Sequence, residues 1–242
     1  MNSTVTANGM QVKAQASSAL VIAGPSLGSG VGTLTSITYN TSVTTLTPAT
    51  HDDSFNTKLK YCANADKVDA ATGYAIDGET LTFANAANTT DNTYYVDYVC
   101  YIAAAGGAMS NQDLSVRLTL PDAAAYNALG DTTRAISVDF YLKEDSTDLG
   151  TYKGTLNLTG LTSSTPYQST TPVNLLENGT IPKNGSSSDY IQVTMRVYYD
   201  GNLEKSAVSG NTPAQAYVYS NQITLSEVNF GVLFTSSTNT TT

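Results

Sequence analysis

Tryptophan is absent from this chain, histidine occurs once, cysteine twice, and charged side chains make up only 13% of 242 residues. Each scarcity removes a class of function. A single histidine, His51, excludes the H-E-x-x-H zinc motif, which needs two histidines on one helix face. Eleven Lys and Arg stand against 20 Asp and Glu, a net charge of −9. They are scattered, so nothing resembles the basic patch that a phosphate backbone requires. The same charge repels anionic membrane surfaces. No apolar run approaches the ~20 residues of a membrane span, and "ALVIAG" at 19–24 is far too short. Met1 runs straight into mature-looking sequence, as expected where a leader has been removed and a start codon supplied.

What is present is β-forming and polar. Hydrophobic residues make up 40%, enough for a core, and with so little charge the surface must be Thr, Ser, Asn and Tyr. Such surfaces are common on extracellular β proteins. Seven N-x-Ser/Thr sequons, beginning at Asn2, Asn40, Asn88, Asn157, Asn178, Asn184 and Asn239, are compatible with secretion. Cys62 and Cys100 fit either one disulfide in an oxidising compartment or two buried thiols.

The hydrophobic period is two almost throughout. Leu114, Val116, Leu118 and Leu120 share one face, as do Ile136, Val138, Phe140 and Leu142, and then Ile191, Val193, Met195 and Val197. Between them Gln192, Thr194 and Arg196 are expected to face solvent, the pattern of half-buried antiparallel strands. Asp77-Gly78 and Asp200-Gly201 predict hairpin turns. "PDAAAYNALG" at 121–130 predicts the one short helix, with Pro121 in its first turn and Gly130 at its end. The inward phase switches near Ser226-Glu227 and again at Asn8-Gly9, and a β-bulge at each would restore a single inward face. Segments 40–57, 85–93, 160–189 and 206–214 read as long polar loops. The expected fold is all-β: a jelly-roll-like antiparallel β-sandwich with long loops. It spans 19–235, after an N-terminal strand extension over 1–18 and before a disordered Thr-rich tail over 236–242.

Chemistry is harder to find. His51 lies in "TPATHDDSFN", read as a polar loop, and "GPSLG" around Ser26 matches G-x-S-x-G without the strand–elbow–helix context that motif needs. Asp52 and Asp53, or Asp66, Asp69 and Asp77, could offer oxygen to Ca²⁺. Neither stretch matches the EF-hand spacing, and solvated loop acid is the better reading. No catalytic residue, cofactor or metal ligand is assigned. The tyrosine-dense segment 92–103 offers two readings: a ladder stacking on sugar rings, or a strand buried on both faces or covered by a neighbouring subunit, which the absence of Trp favours.

The most specific feature is the beginning. "NSTVTANGMQVKAQASSALVIA" at 2–23 resembles the mature N-terminus of TasA/camelysin-like surface proteins of Gram-positive bacteria through Val5, Ala7, Gly9, Met10 and Val12, then Leu20-Val21-Ile22. The likeness covers about a tenth of the chain. It implies a secreted jelly-roll subunit of biofilm-matrix fibres, related to archaeal bundling pilins, that joins its neighbour by donor-strand exchange. Extended at ~3.3 Å per residue, residues 2–15 would reach roughly 45 Å, enough to cross a sheet. Val5, Met10 and Val12 would act as plugs, with Ala7 and Gly9 allowing close approach. The protease activity ascribed to camelysin finds no support in a chain with one histidine and no zinc motif. The expectation is therefore a non-enzymatic head-to-tail homopolymer, extracellular or at the cell surface. Its partners would be further copies and other matrix or surface components, with no nucleic acid and no membrane for the mature form. The alternative is a monomeric adhesin or carbohydrate-binding module presenting the tyrosine strand 94–101.

Overall fold

The computed structural model describes residues 2–7, 10–23, 43–53, 59–62, 83–85, 94–143, 149–184, 190–201, 222–225 and 228–240; of 2–7, 10, 11, 23, 61, 62, 83–85, 131 and 132 it describes the backbone alone. The strands are β1 (Asn2–Ala7), β2 (Met10–Ala16), β3 (Leu20–Ala23), β4 (Thr45–Leu46), β5 (Pro48–His51), β6 (Leu59–Cys62), β7 (Phe83–Asn85), β8 (Tyr95–Ala104) and β9 (Met109–Thr119). Two short helices come next, α1 (Ala123–Asn127) and α2 (Asp131–Arg134). The remaining strands are β10 (Ile136–Lys143), β11 (Thr151–Asn157), β12 (Val173–Ile181), β13 (Ile191–Asp200), β14 (Ile223–Thr224) and β15 (Asn229–Thr238). The fold is an all-β sandwich, as the period-two pattern predicts.

One sheet has five strands in the order β1-β2-β15-β9-β12. The other runs β11-β10-β13-β5-β6-β7, with β8 also on β13 and β3 on β8. Among the described strands pairing is mostly antiparallel, with two parallel ladders, β2 on β15 and β5 on β13. The core lies between the sheets. On the second sheet its rows are Val138-Val197-Val96, Phe140-Met195-Tyr98 and Leu142-Val193-Cys100, each residue opposite its neighbour in register. Leu114, Val116, Leu118, Val232 and Phe234 face them from the first sheet, all buried. At ~25 cal/mol per Å² of apolar surface removed from water, this interface is the principal source of stability.

Helix α1 falls inside the predicted segment because Asp122 caps it, accepting from the Ala125 amide at 2.8 Å. Several expectations are corrected. The supposed loop 160–189 contains β12, whose alternation is broken by three register shifts and by Asn178 at φ 47°. The supposed loop 40–57 holds β4 and β5. The expected disordered tail is strand through Thr238, because Ser236–Thr238 pair with Leu114–Gln112 and the Asn239 amide donates to the Asn111 carbonyl at 2.7 Å. The C-terminal phase switch separates two strands, β14 on β4 and β15 in the five-stranded sheet, with Ser226 and Glu227 outside the described residues. The Asp77-Gly78 turn also lies outside them. Strand β13 ends at Asp200, the first residue of the other expected turn, and residues 202–221 lie outside the described set.

Candidate functional site

Two features stand out: the N-terminal edge of the five-stranded sheet and a buried polar cluster on the eight-stranded one. At the edge, residues 2–15 do not form one long donor strand. They fold back as an antiparallel hairpin, Val5 opposite Val12 and Ala7 opposite Met10. The two residues left between the strands are Asn8 and Gly9, outside the described residues. The phase switch expected as a bulge thus falls between two strands that pair antiparallel up to Ala7 and Met10, and Asn-Gly is the strongest short hairpin signal a sequence carries. Gly9 lies outside the described residues, and of Val5, Ala7 and Met10 only the strand register is described.

Strand β2 is also better anchored than expected. It lies parallel to β15, from Gln11 opposite Asn229 to Ala16 opposite Phe234, and Ser17 N donates to Phe234 O at 3.1 Å. Val12 and Ala14 are each only 1% exposed and belong to the chain's own core, so Val12 fills its own subunit here. Beyond Ser17 the chain turns, Leu20 N donating to Ser17 O at 2.9 Å, and crosses to the other sheet as β3. The hairpin therefore meets the rest of its sheet through one parallel ladder and is tethered through residues 17–19. No tight turn joins parallel neighbours, so the chain connection does not enforce this seam. Strand β1 is the outermost strand and offers one unpaired edge among the described residues.

The second feature is on the outer face of β10, β13 and β8. The rows Ser137-Tyr198-Tyr95, Asp139-Arg196-Asp97 and Tyr141-Thr194-Val99 would face water on a simple alternation, yet all nine residues are buried. Polar groups at such depth need partners. Asp139, 0% exposed, accepts at Oδ1 from Thr155 Oγ1 (2.5 Å) and the Tyr198 hydroxyl (3.2 Å). At Oδ2 it accepts from the Tyr141 hydroxyl (3.2 Å) and His51 Nδ1 (2.6 Å). Arg196 donates to both Asp97 oxygens, at 2.7 and 2.6 Å, and lies 4.0 Å over the Tyr95 ring. Burial drives the Tyr141 and Tyr198 phenols well above their ordinary range, so both stay neutral donors.

His51 closes this cluster at its rim. Its ring stacks on Tyr152 at 4.2 Å, and Nε2 lies 3.5 Å from Asp53 Oδ2. Burial pulls the imidazole pKa down, but hydrogen bonds and charge from Asp139 and Asp53 outweigh this and hold it above its ordinary value. When protonated, His51 sits between two carboxylates and ties β5, which joins β13 through only two register pairs, to β10. A His–Asp dyad could serve as a base, but here both ring nitrogens of His51 face carboxylates. Asp52 is taken by Lys60 Nζ at 2.5 Å. Ser26, Asp66, Asp69 and Asp77 lie outside the described residues, within which no cluster of acidic, His and Cys side chains is placed to hold a metal ion.

Cys100 carries a free, fully buried thiol, so the bond to Cys62 is not made in this structure, and burial pushes the thiol pKa up to about 12. Of Cys62 only the backbone, ending β6, is described. The tyrosine strand offers no sugar platform. Tyr94, Tyr95 and Tyr98 are buried, and Tyr101, half-buried, packs edge-on against Tyr190. Sequence reasoning missed Asp139, Arg196, Asp97, Tyr141 and Tyr198, whose only signal is charge and tyrosine at outward strand positions. Comparison with protein-family models, curated proteins and solved structures finds no match to this chain.

Proposed function

We propose that this chain is a structural, non-enzymatic subunit of an extracellular filament, of the TasA/camelysin-like kind that its N-terminus resembles. Copies join by exchanging the N-terminal hairpin along β15. The observation that carries this reading is the parallel β2–β15 seam. A hairpin from a second copy would make the same ladder and bury the same Val12 and Ala14, so exchange conserves the contacts and concentration drives it. Repeated head to tail, such a contact does not close and builds a filament. The surface poor in charge and rich in Thr, Ser, Asn and Tyr supports an extracellular setting.

The test locks the seam. Gln15 and Leu233 are register partners on its outer side, and a Gln15→Cys/Leu233→Cys pair in a Cys62→Ser background cross-links the hairpin to its own subunit when oxidised as monomer. The oxidised protein is expected to stay monomeric by light scattering and electron microscopy, and the reduced protein and wild type to form filaments. Filaments from the locked form, a closed dimer, or no assembly from the wild type would each overturn the proposal.

A further inference from the structure

On the outer face of the five-stranded sheet, a groove of about 580 Å³ opens over the β2–β15 seam. Its size is that of small-molecule sites. Lys13 and Gln15 of β2, Gly231 and Leu233 of β15, and Thr119 of β9 make its floor. Residues 120–123 and 125 make one wall and 165–168 the other, stitched together where Leu120 N donates to Tyr167 O at 2.8 Å. Gly231 is what keeps the floor low: a Cβ there would run into the Thr119 hydroxyl. Tyr167 presents a half-buried ring, held by a tilted contact with Tyr126 at 5.5 Å.

The polar groups are of a particular kind. Gln15 and Gln168 supply amides and Thr119 a hydroxyl, beside the flat apolar surface of Tyr167 and Leu233. This pairing of amide hydrogen bonding with an aromatic face suits a sugar ring, which has hydroxyls at its edge and C–H groups on its faces. Lys13 adds a cation. It is exposed and, among the described residues, makes no ion pair, whereas the neighbouring Arg117 is occupied by the Ser169 and Thr170 carbonyls. The one carboxylate among the described lining residues, Asp122, accepts from the Ala125 amide at the start of α1. The overall charge of −9 does not forbid an anionic ligand, because at physiological salt its field is screened beyond about 8 Å.

We propose that the groove over Gly231 binds an acidic saccharide, with Lys13 on the sugar carboxylate, Gln15 and Gln168 on hydroxyls and the Tyr167 ring against a sugar face. The site does not depend on filament assembly, since Lys13 and Gln15 occupy it whichever copy supplies the hairpin.

The experiment is calorimetric titration of the full-length monomer with a galacturonate trisaccharide and with the same trisaccharide after reduction of its carboxylates to alcohols. Saturable binding of the acidic sugar is expected, at least tenfold weaker for the reduced sugar and for Lys13→Ala, and regained with Lys13→Arg. Lys13 is exposed, so these variants keep the fold, which circular dichroism checks. No binding by the wild type, equal affinity for both sugars, or undiminished binding by Lys13→Ala would each overturn the assignment. None of these outcomes bears on whether the hairpin exchanges.

Discussion

Replacing Asp139 by alanine should destabilise the protein by about 3–5 kcal/mol. Among the described residues this carboxylate is the sole hydrogen-bond partner of the buried Tyr141 and Tyr198 hydroxyls, and each would lose its acceptor where no solvent reaches. A buried donor left without an acceptor costs about 1–3 kcal/mol, so the two tyrosines account for about 2–6. Thr155 contributes less, because its hydroxyl keeps Tyr152 at 2.7 Å. His51 stands at the rim with its side chain 21% exposed and keeps Asp53 3.5 Å from Nε2, so it adds less than a fully buried donor. Against this stands the relief of no longer burying a carboxylate, which brings the sum toward the middle of the range. For a chain of this size each kcal/mol moves Tm by about 2–4 °C, so the expected loss is roughly 6–20 °C. Urea unfolding followed by near-ultraviolet tyrosine circular dichroism measures it, with an unchanged m-value confirming that the native state is otherwise intact. In Tyr198→Phe/Asp139→Ala the two losses should fall short of additivity by about 1 kcal/mol or more, since the phenylalanine has no donor to strand. A loss below about 1 kcal/mol for Asp139→Ala, or strict additivity, would refute the account of the cluster.

The other perturbations probe one group each. Because His51 titrates above its unfolded value, its contribution to stability is fully present below about pH 6.5 and lost as pH rises through the folded pKa; His51→Gln should flatten the stability profile across that window, and an unchanged profile would show that the clamp is absent. Tyr98 sits in the core with a hydroxyl that makes no hydrogen bond among the described residues, so Tyr98→Phe should leave Tm unchanged or raise stability by about 1 kcal/mol; a clear loss would mean that the hydroxyl is satisfied.

The inward faces were legible because period two is a local property: Leu114 to Leu120, Ile136 to Leu142 and Val193 to Val197 each carry it within eight residues, and all are core. Register is not local, and the rest of the structure turns on register. Asp139, Arg196 and Asp97 each look like an ordinary outward-facing charge. Only the alignment of β10, β13 and β8 brings them into one row under cover. Strand β12 was hidden for a related reason, since its shifts leave Val173, Leu175 and Ile181 buried around an exposed centre rather than alternating cleanly. The Asn8-Gly9 pair shows the opposite failure. The local signal was present, but a break in phase fits a bulge or a turn equally well, and only the Ala7–Met10 pairing decides between them.

That pairing changes what must move in the proposed filament. A single strand of residues 2–15 would have to give up all six β1–β2 register pairs before entering a neighbour, and nothing in the acceptor replaces them unless both halves of the donor are paired there. Moving the hairpin whole keeps those pairs in both states. The cost then reduces to opening the six-pair ladder on β15, uncovering Val12 and Ala14, and swinging residues 17–19. The transition state for exchange should therefore expose the β15 edge and little else. Weakening the β1–β2 ladder would accordingly slow assembly by melting the donor, whereas weakening the β2–β15 ladder would speed release and destabilise monomer and filament alike. Opposite kinetic effects from two adjacent ladders are what a travelling hairpin requires, and a travelling single strand would reverse the first of them.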